Sequence, residues 1–187
     1  KKLGRIVVKV AQAQEIDYLL ARQPETSALY QGANGRAFEV VSPQGDTIFV
    51  HAEENLESLE PLEKAPLVDV PEDFKGLTSF DVDFLEVNVA DFAEAEKFYS
   101  SLSALAHFIH LQEAQGEDLQ VENKVTWDLS MIKVELAPFD VEDLKERLGD
   151  AVDFVHRKGN FLIAKDPSQI ELWFEANQDQ VHISYEE

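Results

Sequence analysis

The chain has 187 residues, of which 44% are hydrophobic, enough for a packed core. Its formal net charge of -21 repels nucleic acid and anionic membrane surfaces, so neither is expected as a partner. There is no cysteine, which excludes disulfides, zinc–thiolate sites and thiol nucleophiles. No apolar run approaches the roughly 18 residues of a spanning helix, and no signal-peptide core follows the first residues. The compartment stays open between cytoplasmic and cell-associated, because a cysteine-free chain suits either redox environment.

Arg5 to Val10 is β-branched and reads as a strand. Gln12 to Arg22 reads as a helix with Ile16, Leu19 and Leu20 on one face. Gln31 to Gly35 is a turn cluster. Ala37 to Val41 and Thr47 to Ala52 are strands joined by the tight turn Ser42-Pro43-Gln44-Gly45-Asp46. Glu53 to Glu72 is Glu-rich and carries Pro61, Pro66 and Pro71, which argues for a boundary there.

The pattern then repeats. Asp83 to Val89 is a strand, and Asp91 caps a helix from Phe92 to Leu102. A strand is expected over His107 to Leu111, and one or two more between Leu119 and Leu129. Ile132 to Leu136 (strand), Val141 to Leu148 (helix), and the strands Val152 to His156, Asn160 to Ala164 and Ile170 to Phe174 complete a third round. The turn Asp166-Pro167-Ser168-Gln169 echoes the one at Ser42 to Asp46. The expected fold class is α+β, built from repeated strand–helix–three-strand (βαβββ) modules, since internal repetition is a fold-level signal.

The openings and endings of these repeats, FLEVNVADFAEAEKFY and DPSQIELWFE, resemble the glyoxalase/bleomycin-resistance/dioxygenase (vicinal oxygen chelate) superfamily. Four stretches resemble the CppA family of streptococci more closely: SPQGD from Ser42, FVHAEE from Phe49, FKGLTSF from Phe74 and TWDL from Thr126. The resemblance implies modules paired into cup-shaped sheets. It further implies residues 1–55 as the second half of an N-terminal domain whose first module is missing, 56–77 as a linker, and 78–187 as a C-terminal domain with a polar tail. It also implies a virulence-associated proteinase that degrades complement component three, or binds it or another protein or peptide.

In the superfamily the cup holds a divalent metal on the opening and ending strands. Strand alternation puts Phe84, Glu86 and Asn88, Lys133 and Glu135, and Glu171 and Trp173 in the cup. Laid on the family pattern, the opening-strand ligand positions are Phe84 and Lys133. Phenylalanine offers no donor atom, and a protonated lysine repels a cation. Only Glu171 matches. In the first repeat, Arg5 and Phe49 stand at the corresponding positions, with His51 also facing the cup. No metal or other cofactor is expected. Two readings of Lys133 stay open: an ion pair with Glu171 in place of the metal, or a lysine that reaches out to solvent.

No proteolytic motif is present. His51-Ala52-Glu53-Glu54 lacks the second histidine of a zinc peptidase, there is no G-x-S-x-G elbow, and no paired aspartate loop occurs. The catalytic residues are therefore unassigned, and His107, His110, His156 and His182 read as structural or solvent-facing. Trp127 and Trp173 read as structural aromatics. The residues themselves favour a non-metal module that binds a small molecule or peptide. The alternatives are a peptidase with an unrecognised site and a metal-dependent enzyme of the glyoxalase or dioxygenase type.

Overall fold

The computed structural model describes residues 1–125 and 127–177. Thr126 and the polar tail, with His182, lie outside the described residues. Two compact units are formed, one by Gly4–Glu86 and the other by Lys1–Leu3 with the chain from Val87 onward. The structure is mixed α+β: short helices packed on sheets.

In the first unit, β1 (Leu3–Val10) leads into α1 (Ala13–Ala21), followed by β2 (Ala28–Gln31), β3 (Arg36–Val41) and β4 (Thr47–His51). The sheet order is β2-β3-β4-β1, with β1 and β4 parallel. A two-residue strand, β5 (Glu60–Pro61), borders β2, and β6 (Phe80–Val89) borders β1. The strand β2 was not expected. It begins inside a polar stretch too short to show a period, and its pairing with β3 defines it.

Alternation gives this sheet two apolar faces. Under α1, Ile16 and Leu20 pack with Val10, Phe38 and Val50. On the opposite face Val7, Ala37, Phe49 and Phe84 form a second cluster. Residues after β5 have little regular structure but are tied to α1. The buried Glu15 accepts hydrogen bonds from the Thr78 N–H at 3.1 Å and the Thr78 hydroxyl at 2.9 Å. The Arg22 guanidinium lies over Phe74, 4.9 Å from its centroid, and donates to the Phe74 carbonyl.

In the second unit, the end of β6 leads to α2 (Phe92–Ser100) and β7 (Ile109–Glu113). Asp91 caps α2 by accepting from the Glu94 N–H at 2.9 Å, as its position predicts. The one or two strands expected between Leu119 and Leu129 are not formed among the described residues. A 3-10 turn over Glu117–Gln120 and a loop take their place. Lys124, with a φ of 76°, breaks the alternation there.

The last repeat is complete: β8 (Met131–Leu136), α3 (Val141–Leu148), β9 (Val152–Val155), β10 (Phe161–Lys165) and β11 (Glu171–Ala176). Asp140 caps α3 through the Asp143 N–H, and Gly149, at φ 53°, ends it. The sheet order β9-β10-β11-β8 reproduces β2-β3-β4-β1 element for element. Leu162, Ala164, Leu172 and Phe174 are buried on the face that Leu144 and Leu148 of α3 help to cover. The β10–β11 turn is fixed by Asp166. One carboxylate oxygen accepts from the Ser168 and Ile170 N–H groups, and the other accepts from the Tyr99 hydroxyl at 2.6 Å. Burial pushes the Asp166 carboxyl above the usual range, although these three donors act against it.

β8 is the end strand of a separate four-stranded sheet, and β6 neighbours β1. Their hydrogen bonds run antiparallel, from Ala11 N–H to the Ser79 carbonyl at one end and from Asn88 N–H to the Lys2 carbonyl at the other.

Glu53, 3% exposed, accepts from the backbone N–H groups of Asn34 and Gly35 beneath the β2–β3 turn. A Cβ at Gly32 would meet Glu53 Oε1 at 2.1 Å. We expect Gly32→Ala to displace the carboxylate and cost about 2–3 kcal/mol in urea unfolding. Gly45→Ala, at φ 84° with open space around it, should cost about 1–2 kcal/mol from backbone strain alone. Equal effects would contradict the role given to Glu53.

Candidate functional site

Of the seven residues expected to wall one cup, Phe84 and Glu86 belong to the first unit. Phe84 is 8% exposed and packed with Val7, Ala37 and Phe49, so it is core rather than an open wall. Glu86 accepts from Arg5 at 2.8 Å. Asn88 belongs to the second unit and donates to the Lys1 carbonyl. Lys133, Glu135, Glu171 and Trp173 lie together on β8 and β11 of the last sheet.

In the first unit, Arg5 and Phe49 meet each other. The guanidinium lies 4.7 Å from the Phe49 centroid and is flanked by Glu86 and, at 3.4 Å, Glu39. Burial works against the Arg5 charge, but the hydrogen bond and charge of Glu86, helped by Glu39, raise its pKa on balance. His51 is 1% exposed and fully committed: Nε2 pairs with Asp83 at 2.9 Å, and Nδ1 accepts from the Glu53 N–H at 3.0 Å. The latter bond leaves the ring proton on Nε2, aimed at Asp83. Neither nitrogen is available to activate a nucleophile.

On the last sheet the register sets the face opposite α3. Trp173 is opposite Lys133, Glu171 opposite Met131 and Glu175 opposite Glu135. Across β10, Phe161, Ile163 and Lys165 face Glu175, Trp173 and Glu171, and Phe154 of β9 pairs with Ile163. Phe161 and Trp173 stack at 4.2 Å between centroids and 13° between planes. His156 stacks on Phe161 at 4.8 Å, and Phe154 lies 5.8 Å away. Trp173 and Phe161 are half-buried, while Met131 and Phe154 are exposed. Phe154, His156, Phe161 and Ile163 were not foreseen as site residues. Extending the alternation from β11 to β10 and β9 would have found them.

The Lys133–Glu171 pair does not form. Lys133 pairs with Glu175 at 2.8 Å instead, and the Trp173 indole N–H donates to the other Glu175 oxygen at 2.9 Å. Trp173 occupies the place beside Lys133, so the lysine reaches the next carboxylate along β11. Lys133 hydrogen-bonds Glu175 from a 53% exposed position, which raises its own pKa and lowers that of Glu175. This is a solvated pair that orients the indole, not a dry substitute for a metal. Among the described residues, no group of three or more His, Cys, Asp or Glu is placed to hold a metal ion. Trp127, read from sequence as structural, is 99% exposed.

A cleft of about 330 Å³ lies on the helical side of the second unit, lined by Leu136, Pro138, Leu144, Arg147 and Phe174. It contains none of the seven expected residues. Its one cation, Arg147, is already paired with Asp143 at 2.7 Å. No helix among the described residues is long and apolar enough to cross a membrane.

Repeats of one strand–helix–three-strand unit on mixed sheets, without a recognisable metal cluster among the described residues, define the class. The CppA N-terminal family matches residues 1–62 and the CppA C-terminal family residues 77–174. The crystal structure of the CppA protein from Streptococcus pneumoniae TIGR4 is 34% identical, with a TM-score of 0.86 over 95% of this chain and 73% of that one. The chain belongs to the CppA family. Glyoxalase I from Leishmania major is a distant structural neighbour, 12% identical, with a TM-score of 0.42 over 56% of this chain and 91% of that one. No curated protein matches the sequence.

Burial holds the His51 imidazole below its usual value, against the raising effect of Asp83. The unfolded chain therefore takes up a proton at this residue before the folded one does. The stability involved is present above about pH 6.5, the ordinary value, and is lost as pH falls from there through the lower folded-state value. Urea midpoints measured from pH 7.5 to 5 should fall for the parent and fall less steeply for His51→Gln. Parallel slopes would show that His51 does not titrate this way.

Proposed function

We propose that this CppA-family chain is a binding protein rather than a metal enzyme, and that it uses the face of the β8–β11 sheet opposite α3. The observation that carries this reading is the stack of His156, Phe161 and Trp173 beside the Lys133–Glu175 pair. Aromatic planes give a ligand flat apolar contact, and Lys133, Glu135 and Glu171 supply charge at the margin. Such a face suits a peptide side chain or small molecule with a flat apolar part and an ionised group. A single aromatic stack contributes about 1 kcal/mol beyond area burial, so affinity would come from several contacts together.

Membership of the CppA family supports a second reading, degradation of complement component three, and names that protein as the first partner to try. Support for this reading is the resemblance alone. His51 has both nitrogens engaged, and cysteine is absent from the chain.

Trp173 and Trp127 are the two tryptophans. In a Trp127→Phe background, Trp173 fluorescence reports on the proposed face directly. Titration with complement component three should change that emission, and the complement protein should stay intact on gels. Phe161→Ala, in the same background, should weaken binding about tenfold, roughly 1.4 kcal/mol. Binding unaffected by Phe161→Ala would remove the proposed face. Cleavage of the complement protein by the pure chain would favour the proteinase reading instead.

A further inference from the structure

A cleft of about 550 Å³ lies in the first unit, between α1 and the stretch Pro71 to Thr78. That stretch carries most of FKGLTSF, a motif for which the β8–β11 face has no use. Glu15 of α1 is in the wall of the cleft and is 7% exposed. Both hydrogen bonds that Thr78 donates, from its N–H at 3.1 Å and from its hydroxyl at 2.9 Å, end on Oε1. Among the described residues Oε2 accepts none. A carboxylate oxygen taken out of water without a donor is costly. A ligand that brings a positively charged N–H group would offset that cost through a charge-assisted hydrogen bond.

The rest of the wall describes the rest of the ligand. Tyr18 and Phe74 meet edge to face with their centroids 5.1 Å apart, and Leu77 adds aliphatic surface. Aromatic rings suit both an apolar body and a neighbouring cation. The protein's own cations leave the acid unanswered. Arg22 is committed to the ring and the carbonyl of Phe74. Lys75 is exposed in the same wall and forms no ion pair among the described residues, while Asp73 adds a second carboxylate. A net charge of -21 also draws small cations toward the surface.

We infer that this cleft binds a small primary amine with an apolar body. Its ammonium group donates to Glu15 Oε2, and its body lies against Tyr18, Phe74 and Leu77. A cleft of this volume suits a small molecule. An acidic ligand is disfavoured, because it would bring its charge against Glu15 and Asp73. A neutral isostere would lack the charge that makes the bond to a buried carboxylate strong. The inference does not depend on the β8–β11 face.

The test is titration of the full chain with phenethylamine, followed by calorimetry and by the backbone amide NMR signals of Leu77 and Thr78. Phenethyl alcohol, with the same body and no charge, and hydrocinnamate, with the opposite charge, are the controls. The amine should shift both signals saturably and bind at least about tenfold more tightly than the alcohol, and hydrocinnamate should not bind. Glu15→Gln keeps a side-chain oxygen to accept from Thr78 but puts an amide NH₂ where Oε2 stood. It should melt close to the parent and weaken the amine at least about tenfold, leaving the alcohol unchanged. If Glu15→Gln fails to fold, Tyr18→Leu takes its place and should weaken the amine about fivefold. Equal affinity for amine and alcohol overturns the inference. So does amine binding that is unchanged in the variant, or that shifts signals elsewhere and leaves Leu77 and Thr78 in place.

Discussion

A parallel pair formed by the first and last strands of the repeat is the constraint on which the rest of the structure depends. β1 with β4, and β8 with β11, run side by side in fixed register. A strand shows alternate residues to opposite faces, so a parallel partner in register doubles each row. Ile132, Val134, Leu172 and Phe174 thereby form one apolar layer for α3. The same register obliges Lys133, Trp173 and Glu175 to share the opposite face. The helix-covered core and the candidate site are two consequences of one alignment.

That alignment also explains why similar sheets have different opposite faces. In the first unit the row holds Arg5, Val7 and Phe49, and the gap is closed by Phe84, Leu56 and Leu59. The buried charge there is satisfied internally by Glu39 and Glu86. In the last repeat the row holds Lys133, Trp173, Glu175 and Phe161, and the charges stay in water. Sealed apolar packing makes the first face structural. Partial exposure of stacked rings makes the second available for recognition.

Much of the fold was legible because β-branched openings, Asp caps and proline–glycine turns act locally. Asp91 marks its helix, and the Asp166 turn recurs where the Ser42 turn predicts it. Parity was legible too, and it placed Lys133, Glu171 and Trp173 on one face. What escaped was non-local. No property of Glu175 in sequence says that Trp173 will occupy the position beside Lys133 and direct the lysine onward. Neither does β6 announce that its partner is β1. The strand missed at Ala28–Gln31 exists through pairing with β3, and among the described residues no strand forms between Leu119 and Leu129. His156 and Phe161 were hidden for a simpler reason: alternation was followed on the opening and ending strands and not across β10.

We propose that the rings and fixed charges on the β8–β11 face, and not a bound metal, form the recognition surface. Equilibrium dialysis of the purified chain against manganese, nickel and zinc, followed by elemental analysis, tests this most directly. The account predicts far less than one equivalent of any of the three, unchanged by Glu171→Gln. One retained equivalent that disappears in Glu171→Gln would contradict it.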